Sequence, residues 1–90
     1  MKTINRISVL LVEEQSDLRN TISDNLKAVD YKVYATNKGL DALDLFKKND
    51  IDICVLDVEM SGLDGFALAA QIRMLNPDMP VIFLVSKGLF

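Results

Sequence analysis

The chain has 90 residues, of which 50% are hydrophobic and 26% are charged, and this balance is typical of one small folded domain rather than a disordered or fibrous chain. The formal net charge of -3 is spread along the sequence, which argues against direct binding to nucleic acid or to an anionic membrane surface. The sequence has no histidine, which excludes His-based triads and most zinc sites. No apolar run approaches the roughly 20 residues of a membrane span or forms a secretory signal. We therefore expect a cytoplasmic domain over residues 1–90.

The first predicted unit is a strand over residues 7–12 followed by a helix over residues 16–29. The strand is a nearly continuous aliphatic run rich in β-branched residues, which is typical of a strand buried on both faces. Ser16 is placed to cap the helix, and Asp17 lies in the first turn, where the helix dipole favours an acid. The helix carries an apolar stripe formed by Leu18, Ile22, Leu26 and Val29. This unit is predicted to be a strand, an acidic loop and a helix.

The second predicted unit is a strand over residues 31–36 followed by a helix that Asn37 is placed to cap. Apolar and polar residues alternate in this strand, which indicates a position nearer the edge of a sheet. Asn49 suits the exit of the helix. The predicted core stripe of the helix is Leu40, Leu43 and Phe46.

Residues 51–56 form a third predicted strand that is apolar at nearly every position and is closed by Asp57. Its cysteine, Cys54, is the only one in the chain, so no internal disulfide is possible, and we expect a small buried hydrophobe. The next helix has a stripe formed by Leu68, Ala69, Ile72 and Leu75. Pro77 ends that helix because proline cannot continue its hydrogen bonds. Residues 80–85 form the fourth predicted strand, with proline at its first position.

This alternation predicts an α/β fold with a doubly wound parallel sheet and helices on both faces. Ligands in such sheets lie beyond the carboxyl ends of the strands, which is where Glu13, Glu14 and Asp57 fall. Three carboxylates in one half-buried crevice would repel one another, and Mg²⁺ would remove that conflict. An aspartate beside such a cation can attack a phosphoryl group. The plainer alternatives are that Asp57 caps a loop and that both glutamates are merely solvated.

Three segments carry a resemblance to a known family. They are residues 9–15 (VLLVEEQ), 55–65 (VLDVEMSGLDG) and 79–84 (MPVIFL). Together they resemble the receiver domain of two-component response regulators, and the likeness extends along the whole chain. The resemblance implies a flavodoxin-like sheet with strand order 2-1-3-4-5. In this chain it implies the order 2-1-3-4, with the fifth strand and the last two helices missing and the domain incomplete at its C-terminus.

The resemblance also implies a function and a set of site residues. It implies that Asp57 is the phosphoacceptor and that the donor is a sensor histidine kinase or a phosphotransfer protein. It further implies that Mg²⁺ is bound by Glu13, Glu14, Asp57 and the backbone carbonyl of Glu59. A receiver of this kind is a signalling substrate rather than a turnover enzyme.

Four positions depart from the family pattern. Glu14 stands where aspartate is usual, and its extra methylene predicts weaker Mg²⁺ binding. Val85 stands where the fourth strand usually ends in Thr or Ser, and Ser86, one residue later, would face the other way. Ser61 replaces the usual proline. Lys87 lies in the wrong element to be the phosphate-binding lysine of the family and is expected to be a solvated loop residue.

These departures leave other functions open. Without the fifth strand and the last two helices of the family, the fourth strand would be an exposed apolar edge. Such an edge predicts self-association through that strand. The alternative function is therefore a degenerate or truncated receiver that acts as a phosphorylation-independent interaction or dimerisation module. A Mg²⁺-dependent phosphatase with Asp57 as nucleophile is a third possibility. It is disfavoured because such enzymes commonly need a second aspartate two residues on, where this chain has Glu59.

Overall fold

The computed structural model describes residues 6–85, in which four strands alternate with three helices. The strands are β1 (Ser8–Val12), β2 (Lys32–Thr36), β3 (Ile53–Asp57) and β4 (Val81–Leu84). The helices are α1 (Ser16–Ala28), α2 (Gly39–Lys48) and α3 (Gly65–Leu75). All strand pairs are parallel, and the order β2-β1-β3-β4 confirms the predicted architecture.

The two central strands, β1 and β3, set the position of the acidic residues. β1 pairs with β2 on one side and with β3 on the other, and all five of its residues are buried. This accounts for its continuous apolar sequence. In the register of β1 and β3, Val12 lies opposite Leu56. The residues that follow, Glu13 and Asp57, are therefore neighbours at the carboxyl edge of the sheet.

Helices α2 and α3 pack together and cover one face of the sheet. Cys54 is fully buried in this core, and burial raises the pKa of its thiol to about 11, so the thiol stays protonated and unreactive at neutral pH. Phe66 of α3 packs on Phe83 of β4, with 4.7 Å between the ring centroids. The buried residues at the centre of this core are Leu10, Val12, Ala42, Leu43, Leu56, Leu68, Ala69 and Ile72.

Three predicted core residues are exposed instead, namely Val29, Leu40 and Leu75. Val29 lies beyond the end of α1 as its C-terminal cap, and Leu75 is the last residue of α3. Leu40 is 72% exposed because the buried residues of α2 are Gly39, Ala42 and Leu43, and Leu40 lies about 100° round the helix from Gly39. Ala42 is buried in the core in its place.

The predicted helix caps Ser16 and Asn37 are wrong. The N-cap residues are Gln15 and Lys38, and neither side chain makes a capping hydrogen bond. By contrast, Asp64 caps α3, because its Oδ1 accepts a 2.8 Å hydrogen bond from the backbone N–H three residues on. An aspartate just before a helix is a recognised cap signal, and this one was visible in the sequence although no prediction used it.

Helix α1 covers only part of the other face of the sheet, over β1 and β2. Its stripe residues Leu18, Ile22 and Leu26 are only half-buried. Open grooves of about 500 and 620 Å³ lie beside them, towards β3 and β4. Ile82 of β4 lines the smaller groove and is 51% exposed. Among residues 6–85, no helix covers this part of the sheet, and no helix is long and apolar enough to cross a membrane.

Candidate functional site

Asp57 ends the central strand β3 and lies at the centre of the candidate site. Its side chain is only 2% exposed. Oδ1 accepts a 3.0 Å hydrogen bond from the backbone N–H of Glu59, so one carboxylate oxygen is held by the loop that follows β3. The side chain of Glu59 itself is exposed. A carboxylate at this depth needs a compensating partner or charge.

Glu13 follows β1 and lies beside Asp57. Its backbone N–H donates to the carbonyl of Thr36 at 3.1 Å, which continues the pairing with β2, and its side chain is fully buried. Oε2 accepts a 3.0 Å hydrogen bond from the N–H of Gln15. Oε1 is buried and has no donor among residues 6–85. A buried acceptor without a donor is uncommon in native proteins and requires an explanation.

The electrostatics of this pair favour a positive charge beside it. Burial raises the pKa of Glu13 most, and the neighbouring Asp57 carboxylate raises it further. The hydrogen bond from Gln15 and the positive charge of Arg19 lower it, but the net direction is upward. Because both partners are acceptors when ionised, they can share a hydrogen bond only if one of them holds a proton. A cation between them would remove the same conflict.

Arg19 donates hydrogen bonds to the loop that carries the two glutamates. Its Nη1 donates to the backbone carbonyl of Glu13 at 2.9 Å and to that of Glu14 at 3.4 Å. These contacts join the first turns of α1 to the end of β1. The sequence reasoning missed Arg19, since a contact across six residues depends on the path of the loop and has no periodic signal.

Glu14 is exposed and its carboxylate lies against a different loop. Oε2 accepts a 3.1 Å hydrogen bond from the backbone N–H of Ser61, 47 residues along the chain. Within the described range 6–85, no three His, Cys, Asp or Glu side chains form a group that could hold a metal ion. The structure thus brings Glu13 and Asp57 together and places the carboxylate of Glu14 on the loop after β3.

The loop between β3 and α3 depends on two glycines. Gly62 has φ +76°, a left-handed conformation that favours glycine. Gly65 begins α3 and lies directly against the backbone of Asp57 and Val58. A Cβ atom at Gly65 would lie 2.8 Å from the carbonyl carbon of Asp57 and would meet its carbonyl oxygen. The start of α3 is therefore packed on the residue that bears the candidate nucleophile.

The end of β4 supplies no hydroxyl group among the described residues. Leu84 lies opposite Asp57 in the parallel register, and its carbonyl accepts from the N–H of Val58 at 3.1 Å. Val85 follows directly and is exposed. Ser86 and Lys87 lie outside the described residues.

Solved structures share this fold. Chemotaxis protein CheY4 of Vibrio cholerae aligns with a TM-score of 0.89 and 26% identity, over 93% of this chain and 72% of that one. Response regulator TrrA of Thermotoga maritima, in complex with Mg²⁺ and BeF, aligns with a TM-score of 0.85 and 27% identity, over 91% of this chain and 71% of that one. A complex of TrrA with histidine kinase ThkA also matches, with a TM-score of 0.84.

Comparison with known sequences identifies the family. The chain is 36% identical over 81 residues to the sensor histidine kinase RcsC of Escherichia coli K12. The aligned residues make up 90% of this chain but only 8% of RcsC. The profile of the response regulator receiver domain matches residues 9–89, nearly the whole chain. The chain therefore belongs to the response regulator receiver domain family of two-component signalling.

Proposed function

We propose that this chain receives a phosphoryl group on Asp57 from a sensor histidine kinase or a phosphotransfer protein. The observation that carries the proposal is the buried pair at the carboxyl edge of the sheet. Asp57 is 2% exposed and held through Oδ1, and beside it Glu13 presents a buried Oε1 that has no donor among residues 6–85. The complex of TrrA with ThkA supports a kinase as the donor. We also propose that the chain is cytoplasmic.

The residues present fit a magnesium ion. Oε1 of Glu13 has no hydrogen-bond donor in the described part of the chain, residues 6–85. This oxygen and the neighbouring carboxylate of Asp57 are hard oxygen ligands of the kind that Mg²⁺ prefers. The backbone carbonyl of Glu59 is the third proposed ligand. Oε2 of Glu14 accepts from the N–H of Ser61 instead. When bound, Mg²⁺ would neutralise charge on the carboxylates and on the incoming phosphoryl oxygens.

The chain's own residues supply the nucleophile and its orientation. An oxygen of the Asp57 carboxylate forms a bond to phosphorus, and the bond from phosphorus to the donor's nitrogen or oxygen breaks, with the electron pair leaving on the donor. The N–H of Glu59 holds Oδ1 during this transfer. Phosphorylation would then shift the conformations of the adjoining loops and so change partner binding. One phosphoryl group is accepted, so the chain acts as a signalling substrate rather than a turnover enzyme.

The residue at the end of β4 weakens the coupling between phosphorylation and conformational change. Val85 has no hydroxyl group for the phosphoryl oxygens, and the loss of a hydrogen bond to a charged group costs roughly 1.5 to 3 kcal/mol. We therefore expect a phosphorylated state that is coupled less strongly to the loop after β4 than in receivers with Thr or Ser at this position.

Phosphorylation of Asp57 can be tested directly. Incubation with acetyl phosphate and millimolar Mg²⁺ should add the mass of one phosphoryl group, and Asp57→Asn should abolish the addition because it removes the nucleophile. Intact-protein mass spectrometry measures the shift. Asp44→Asn removes an exposed acid of α2 and should leave the shift unchanged. An unmodified mass at every Mg²⁺ concentration, or equal labelling of Asp57→Asn, would contradict the proposal.

A second function, association with another copy of the chain, is favoured by the uncovered part of the sheet. Among residues 6–85, β4 pairs only with β3, so its other edge has unpaired backbone groups. The grooves beside α1 leave apolar residues of β3 and β4 in contact with solvent. Such edges and patches promote association, and this association would need no phosphorylation.

Self-association should respond to one charge on the uncovered face. Ile82→Lys places an ammonium group in the groove beside α1 and should shift the protein towards monomer in sedimentation velocity at tens of micromolar. Met74→Lys adds the same charge at an 83% exposed position on α3 and should leave the distribution unchanged. A monodisperse wild-type monomer under these conditions would rule out this second function.

A further inference from the structure

The hydrogen bond from Ser61 to Glu14 connects two loops at the candidate site. One loop follows β1 and carries Glu13, and the other follows β3 and carries Glu59. The backbone N–H of Ser61 donates to Oε2 of Glu14 at 3.1 Å, and this hydrogen bond spans the two loops. It joins the loop that carries Glu13 to the loop that carries Glu59.

Both residues have the chemistry that this contact requires. A proline at position 61 would have no N–H to donate, whereas Ser61 donates through its backbone. An aspartate at position 14 would be shorter by one methylene than the glutamate whose carboxylate makes the contact. Two of the four positions that depart from the usual receiver pattern therefore meet in a single hydrogen bond.

We infer that Glu14 is a positioning residue, which holds the loop after β3 through the Ser61 N–H, rather than a metal ligand. The inference rests on the proposed function for its consequence, since the loop held in this way carries Glu59, whose carbonyl is a proposed Mg²⁺ ligand. The Mg²⁺ ligands of the chain are then Glu13, Asp57 and the carbonyl of Glu59. Glu14 acts on the ion only by keeping that carbonyl in place.

The contact itself is tested in the metal-free protein by hydrogen exchange of the Ser61 amide, followed by NMR. Glu14→Ala removes the acceptor and should speed exchange about five- to tenfold, the factor expected for one ordinary hydrogen bond. Glu14→Gln keeps an oxygen at the same distance and should stay within about twofold of wild type. Ser61→Ala keeps the N–H and is the matched control, with unchanged exchange at position 61.

Magnesium titration of the same variants separates positioning from ligation. If Glu14 positions the loop, Glu14→Ala should raise the Mg²⁺ dissociation constant about tenfold, the usual effect of losing a residue that supports a ligand, while Glu14→Gln stays near wild type. If Glu14 is a ligand, both variants should weaken binding to a similar degree.

A failure of this inference can be told apart from a failure of the proposed phosphorylation of Asp57. Exchange at Ser61 that is unchanged in Glu14→Ala would overturn the inference, and so would a Glu14→Gln variant that binds Mg²⁺ as poorly as Glu14→Ala. Neither readout needs phosphorylation. A chain that fails to accept a phosphoryl group at Asp57 but loses Ser61 protection in Glu14→Ala would contradict only the proposed function.

Discussion

Gly65→Ala, at the start of α3, should destabilise the protein more than Gly62→Ala in the loop after β3. The new Cβ would lie 2.8 Å from the carbonyl carbon of Asp57 and 3.0 Å from the Cα of Val58. These are backbone atoms of the central strand and its continuation, so neither can move aside as a flexible side chain would. Overpacking in a core typically costs about 1 to 3 kcal/mol, and we expect the upper end of that range.

Thermal and denaturant unfolding measure this effect. A loss of about 3 kcal/mol in a domain of this size lowers the melting temperature by more than about 10 °C. Gly62→Ala is the matched control, because nothing lies within 4 Å of its Cβ and only the positive φ opposes it, at about 1 to 2 kcal/mol. Gly62→Asn should recover part of that loss, since Asn tolerates this conformation. Equal destabilisation by the two alanine variants would show that α3 is not held against Asp57 as described.

Glu13→Gln should stabilise the metal-free protein at neutral pH. The substitution removes a buried charge and gives the side chain an N–H₂ group that can donate to Asp57. An unsatisfied buried polar group costs about 1 to 3 kcal/mol, and the gain in the free energy of unfolding should fall in that range. With excess Mg²⁺ the wild type should become more stable than Glu13→Gln. The variant has lost a proposed ligand, so Mg²⁺ binding raises its free energy of unfolding less.

The pH dependence of this gain has a defined sign. Burial and Asp57 raise the pKa of Glu13 above its ordinary value of 4.5, so the native state binds the proton more tightly than the unfolded state does. The stability that protonated Glu13 contributes is fully present below pH 4.5 and is lost as the pH rises through the raised pKa. The advantage of Glu13→Gln should therefore appear at neutral pH and vanish below 4.5.

Urea unfolding at several pH values checks this prediction. Asp24→Asn neutralises an exposed acid on α1 and should show no such pH-dependent gain. A Glu13→Gln variant that is less stable than wild type at neutral pH without metal would mean that the ionised pair is already compensated in the native protein.

Hydrophobic patterning was sufficient to predict the order of strands and helices in this domain. Each predicted strand and helix exists, and the buried run of β1 shows in its continuous aliphatic sequence. The position of Asp57 at the end of a buried strand was also readable, because strand and loop chemistry are local. Helix ends were less accurate, since no capping side chain marks the starts of α1 and α2. Leu40 is exposed for another reason: the buried face of α2 is formed by Gly39, Ala42 and Leu43, and Leu40 lies off that face.

What the amino-acid sequence determined by itself was the alternating α/β pattern and the presence of acids at two strand ends. Only the tertiary structure decided which acids meet: Glu13 lies beside Asp57, while Glu14 reaches the N–H of Ser61. Adjacent glutamates have the same chemistry, and the direction of each depends on backbone angles in a loop without periodicity. The close packing of Gly65 on Asp57 was hidden for a related reason. Contacts between elements depend on how they pack, and spacing along the chain does not record packing.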